Sequence, residues 1–204
     1  MRNILLFAVF ALSACATKMT ENDCAGADWS AIGERDGLYG EGPEKLSERT
    51  AQCAEFGLPA NAESYQAGRL KGLATYCTPE AGFDAGRNGR AYRGVCPAET
   101  ESAFLAEYNI GRRLHDFTKA VENANSSYES ALSTLQSSKY DLREAFDRYN
   151  DESLAEDQRR EAGKKIDRLR REIDRLESDL PRLDREIGDA EGALADYRAF
   201  LDRR

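Results

Sequence analysis

The chain has 204 residues, with 37 Asp and Glu against 29 Lys and Arg, for a net charge of −8. That sign argues against nucleic acid and against anionic lipid heads as electrostatic partners, since both require a basic surface. Charged residues make up 32% of the chain, above the roughly 25% usual in soluble domains, which fits long solvated helices.

The N-terminus reads as an export signal. Met1-Arg2-Asn3 is a short basic start, Ile4 to Leu12 is an apolar run, and Leu12-Ser13-Ala14-Cys15 follows. The apolar run is too short for a membrane span, which takes about 20 residues. The Leu-Ser-Ala-Cys ending resembles the lipobox of bacterial lipoproteins. That resemblance implies a signal peptide at 1–14, cleavage before Cys15 and acylation of Cys15, which joins the chain to the lipid bilayer. Several acyl chains, at ~0.8 kcal/mol per buried methylene, anchor more firmly than one myristoyl chain. Ala16, not Asp, follows the cysteine. In enterobacterial lipoproteins this implies the outer membrane, with the protein facing the periplasm.

Residues 15–27 are expected to be a lipid-bearing tether. Cys24, Cys53, Cys77 and Cys96 remain, an even number in an oxidising compartment, and this points to two disulfides. Spacings of 29, 24 and 19 offer no Cys-x2-Cys pair for zinc, and no metal or cofactor is expected.

A compact helical domain is expected over 28–100. Asp28, Asn61 and Thr78 suit N-caps, and Pro79 suits a first helical position. The expected helices lie near 28–39, 43–56, 61–76 and 79–93. An aromatic recurs three or four residues before a glycine: Trp29 to Gly33, Tyr65 to Gly68, Phe83 to Gly86, Tyr108 to Gly111. Glycine inside a helix costs ~1 kcal/mol relative to Ala, so its repetition suggests close helix–helix approach. The alternative is that several of these glycines end helices or make turns, with Asn88-Gly89 a turn signal in its own right.

If the last helix runs unbroken, Cys77 and Cys96 stand ~20 Å apart, beyond the ~7 Å Cα limit of a disulfide. This favours Cys53–Cys96 with Cys24–Cys77. A break at Asn88-Gly89 would instead permit Cys24–Cys53 with Cys77–Cys96.

The run Asp28-Trp29, Asp36-Gly37, Tyr65-x-x-Gly68-x-x-x-Gly72-Leu73, Tyr76-Cys77, Gly86-x-x-Gly89-x-x-Tyr92, Val95-Cys96-Pro97 and Tyr108-x-x-Gly111 resembles domain of unknown function 2799, found in bacterial envelope lipoproteins. The resemblance covers roughly residues 22 to 115. It implies no catalytic residues.

From residue 101 to 204 the texture becomes charged and helical. Ala162, Ile166, Leu169, Ile173, Leu176, Leu180, Leu183, Ile187, Ala190, Leu194, Tyr197 and Leu201 alternate at spacings of four and three, a heptad seam. Leu114, Phe117, Val121, Ala124, Tyr128, Ala131, Leu135, Ser138, Leu142, Ala145 and Tyr149 carry the same alternation. With polar Asn150 to Ser153 between them, the two seams predict an antiparallel hairpin. Pro181 within the second seam predicts a kink or short break near 178–181. The expected fold is all-α: a small disulfide-linked helical domain, then a long antiparallel coiled-coil hairpin.

Two functional readings remain. The first is a non-enzymatic envelope lipoprotein whose hairpin meets a protein partner. The second is a glycan- or peptidoglycan-binding module, with Trp29, Tyr65, Phe83 and Tyr92 as the ligand platform. Tyr39 and Tyr76 belong to the same aromatic set. Asp28, Glu34, Asp36 and Asp84 supply carboxylates, but no spacing selects a catalytic pair among them. The one histidine, His115, lies in Arg112-Arg113-Leu114-His115-Asp116, expected to be a polar helix face without triad company.

Overall fold

The computed structural model describes residues 18–204. The signal segment and Cys15 lie outside these residues. Seven helices and no strand occur among the described residues: α1 Glu21–Ala25, α2 Trp29–Leu38, α3 Glu44–Ala54, α4 Ala62–Tyr76, α5 Pro79–Arg87, α6 Ala98–Asn150 and α7 Glu156–Leu201. The chain divides into two compact units. One takes residues up to Gly82 together with Ala91–Leu105, and the other takes Phe83–Arg90 with Ala106–Arg204.

The caps fall where the sequence places them. Asp28 accepts the Ala31 N–H at 3.0 Å and Asn61 that of Ser64 at 3.0 Å. The Thr78 hydroxyl accepts from Ala81 N–H at 3.2 Å. Each satisfies one backbone donor that a helix start leaves without a partner. The segment expected to be a tether contains α1, which Thr20 and Asp23 start with a capping box. Its Cys24 joins Met19, Trp29, Cys53 and Tyr65 in a buried core, flanked by Ile32, Leu46 and Leu58.

The disulfides are local: Cys24–Cys53 and Cys77–Cys96, each with Cα atoms 5.5 Å apart. This overturns the favoured Cys53–Cys96 and Cys24–Cys77 pairing. The reason is the length of α5. It stops at Arg87 instead of reaching 93, and Gly89 takes φ 69°. The chain turns there and comes back to Cys77.

The first unit contains a helix pair whose chemistry recurs further along the chain. Gly33 and Gly37 of α2 face Gly68 and Gly72 of α4. A Cβ on any of the four would stand less than 3.0 Å from a carbonyl oxygen of the other helix. Gly40 then ends the turn after α2 with φ 65°, and a Cβ there would overlap the Tyr76 ring. In the second occurrence Gly82 meets the Phe104 carbonyl, Gly86 that of Tyr108 and Gly111 that of Phe83. Gly89 ends α5, and its Cβ would overlap the His115 imidazole.

Backbone bonds repeat as well. Glu41 N–H donates to Asp36 O at 2.9 Å, and Arg90 N–H to Ala85 O at 3.0 Å. Arg69 donates to the Glu41 carbonyl at 2.7 Å, and the Tyr108 hydroxyl to the Arg90 carbonyl at 2.8 Å. In each occurrence a disulfide joins the entry of the first helix to the approach of the second. Residues 28–115 therefore contain one glycine-clasped helix pair twice. The first copy carries α3 in its connection and the second only a loop.

In the second unit α6 and α7 form the antiparallel hairpin, with 53 and 46 residues respectively. Lys139 pairs with Glu177 at 2.6 Å, and Ala145 clusters with Ile166 and Leu169. Tyr197 donates to the Ile110 carbonyl at 2.9 Å and stacks on Phe117 at 5.2 Å. Ala162, Ile166, Leu169, Ile173, Leu183, Leu194 and Tyr197 of the seam are buried. Asp151 closes the connection by accepting from the Ser153 N–H and hydroxyl at 2.9 and 2.6 Å.

No break occurs at Pro181, since α7 is helical throughout 156–201. Pro181 is exposed, so the Glu177 carbonyl that loses its N–H partner faces water. Burial of Ile173 and Leu183 on either side holds the helix together.

Candidate functional site

The α2–α4 clasp brings a polar cluster into the core. Asp36 is 3% exposed. Arg49 of α3 binds it through two nitrogens at 2.7 and 2.6 Å, and the Tyr65 phenol donates to it at 2.8 Å. These three donors occupy the carboxylate on both oxygens. Hydrogen bonding to Asp36 raises the Arg49 pKa. Burial, and then the same carboxylate, push the Tyr65 phenol far above its usual value. Asp36 thus acts as a strut joining α2, α3 and α4, with no oxygen turned to solvent for a reacting molecule. Beside it, Arg69 is 8% exposed and its Nε lacks a partner.

The other carboxylates lie at the surface, each with one partner. Asp28 caps α2, Glu34 pairs with Lys71 at 3.3 Å, and Asp84 pairs with Arg87 at 2.8 Å. Among the described residues, no group of three or more His, Cys, Asp or Glu is arranged to hold a metal ion.

The four aromatics of the sequence-based platform do not form one. Trp29 is 7% exposed and Tyr65 0%, both inside the first unit's core. Tyr92 lies on Phe104 at 4.9 Å, donates to Glu101 at 2.8 Å and accepts from the Cys96 N–H at 3.0 Å. Burial raises its pKa. Phe83 is half-buried, with the Arg87 guanidinium 6.0 Å from its ring centre. Burial of Trp29 and Tyr65 takes two of the four rings out of reach of a sugar. Tyr76 is buried as well, and only Tyr39 of the wider set is broadly exposed, at 63%. His115 also has a packing role that sequence reading missed: its ring fills the space over Gly89, with Nδ1 3.3 Å from the Arg87 carbonyl.

A surface groove of about 1080 Å³ lies at the turn end of the hairpin. Ala145 and Ala162 line it together with Arg148, Arg160, Arg168 and Arg171. Lys164 of the same groove pairs with Glu161 at 2.7 Å, and Lys165 lies 3.8 Å from Asp141. The four arginines are exposed and make no ion pair with any described residue. Tyr149, half-exposed, lies against Gly163 next to this groove. The signal was present in the basic run from Arg159 to Arg171, but the groove requires Ala145 and Arg148 from the other helix.

The aromatic–glycine order now has a geometric meaning, as two clasps closed by local disulfides. Residues 28–113 match the family model of DUF2799. That family is described as proteins of unknown function. The DUF2799 match takes in the glycines of both clasps and ends at Arg113, two residues before His115 and next to Leu114, where the α6 seam begins. It therefore covers the duplicated helix pair and leaves the α6–α7 seam outside. No curated protein and no solved structure matches the chain.

Proposed function

We propose that this chain is a lipid-anchored envelope protein without catalytic activity, whose helical hairpin holds a protein partner. Cys15 is the anchor, acylated after removal of residues 1–14, in the outer membrane and facing the periplasm. Residues 28–113 form a rigid mount. The observation that carries this reading is the hairpin itself. Helices of 53 and 46 residues satisfy their apolar seams on each other and leave long charged faces to water. That is far more ordered helix than the DUF2799 clasps use, and its exposed surface is what a partner can read.

The engaged carboxylates and buried aromatics support this reading over an enzyme or a glycan-binding module. Two experiments test it. Cys15→Ser should lose acylation and membrane retention in cell fractionation, and normal retention would contradict the anchor. Copurification from detergent-extracted envelopes should recover a partner with the wild type and lose it with Leu169→Asp, which unzips the hairpin. Equal recovery with both would contradict the role given to the hairpin.

A further inference from the structure

We propose that the groove at the turn end of the hairpin is the docking surface for a short acidic peptide segment of a protein partner, read by Arg148, Arg160, Arg168 and Arg171. This rests on the hairpin being the partner-binding limb, and it adds the place and the chemistry. The four guanidinium groups make no ion pair among the described residues, and with Lys164 and Lys165 they outnumber the two carboxylates of the lining, Asp157 and Glu161, so the groove is complementary to carboxylates from outside. A guanidinium offers a carboxylate two parallel N–H bonds, so the match is geometric as well as electrostatic. Unlike the three arginines of the groove on α7, Arg182 of that helix is held by Asp179 and Glu186.

The lining also limits the size of the ligand. Asp157 and Arg171 both line the groove, and helix rise puts them about 20 Å apart. An extended peptide of roughly six residues spans that length. Tyr149 beside the groove adds an aromatic to the arginines, a pairing enriched where binding energy concentrates. Net charge decides against longer polyanions and membrane planes. The whole chain is at −8, so a ligand reaching past the groove meets repulsion, whereas a short segment stays within the basic patch.

The test uses the full chain in detergent and a fluorescent octaglutamate peptide, followed by anisotropy. Binding should weaken with salt, and fall about tenfold or more in Arg168→Glu with Arg171→Glu. The same two positions changed to Gln should weaken it less, with helicity unchanged in both variants. Arg185→Glu, further along α7, should leave it intact. Absence of octaglutamate binding, or binding indifferent to both variants, overturns the proposal. So does tighter binding of tripolyphosphate or of phosphatidylglycerol vesicles to the same arginines. If octaglutamate fails while copurification still requires the intact hairpin, this inference falls and the proposed function stands.

Discussion

The Tyr65 phenol donates to Asp36 at 2.8 Å across the first clasp, and the second clasp has Phe104 and Ala85 in the same two places. Both members of the second pair are fully buried, at 0% exposure. One copy of the helix pair is pinned by a charged hydrogen bond, and the other has buried apolar residues at the equivalent positions. An apolar residue in place of Asp36 alone would leave the buried Tyr65 phenol without its acceptor. Asp36→Ala should therefore cost about 3 kcal/mol or more, since Arg49 and Tyr65 lose their acceptor together. Tyr65→Phe should cost about 1 kcal/mol. The double variant should cost less than the sum, by denaturant unfolding.

The glycines of the clasps should tolerate almost nothing. Gly37→Ala puts a methyl against the Arg69 carbonyl, and Gly86→Ala against that of Tyr108. Backbone cannot step aside there without separating the helices, so each should destabilise by about 3 kcal/mol. Gly188→Ala has open space around its Cβ and should stabilise α7 slightly, by up to ~1 kcal/mol. Thermal melts of the three variants check this ordering.

Alkaline pH should weaken the first clasp. The folded-state pKa of Tyr65 lies above its unfolded value of about 10. The folded form therefore holds the proton longer. This contribution is fully present below about pH 10 and is lost as pH rises further. Unfolding free energy measured from about pH 8 to about pH 11 should fall more steeply in the wild type than in Tyr65→Phe. Parallel curves would remove Tyr65 from the account.

Leu169→Asp should unzip the hairpin. Leu169 is 5% exposed and packs with Ala145 and Ile166, so a carboxylate there is buried without a partner. A loss of about 3 kcal/mol or more is expected, with lower helicity by circular dichroism. The hairpin closes on itself through a short connection, which makes its second arm locally concentrated. Wild-type melting should accordingly depend little on protein concentration.

The hairpin was legible in the sequence because a heptad seam is a local, periodic signal. Its two arms and its connection lie where Leu114 to Tyr149 and Ala162 to Leu201 place them. The caps at Asp28, Asn61 and Thr78 were legible for the same reason. Pro181 misled because propensity speaks only of the backbone, while a buried seam on both sides outweighs its ~3 kcal/mol. The disulfides turned on whether Asn88-Gly89 ends a helix, and that signal fits a packing glycine equally well. The duplication was hidden because the paired contacts exchange their chemistry. Tyr76 over Gly40 becomes His115 over Gly89, and the Arg69 donor becomes Tyr108. The basic groove needs residues from both arms, and no window along one arm contains it.

Photocrosslinking in intact cells tests the central claim most directly. A photoreactive residue would replace Gln158 or Arg185 on the hairpin and, for comparison, Glu63 or Glu80 at exposed positions outside it. The account predicts that the hairpin positions capture a discrete protein, identified by mass spectrometry and confirmed by the reciprocal experiment, and that Glu63 and Glu80 do not. Capture from Glu63 and Glu80 alone, or from no position on the hairpin, would contradict it.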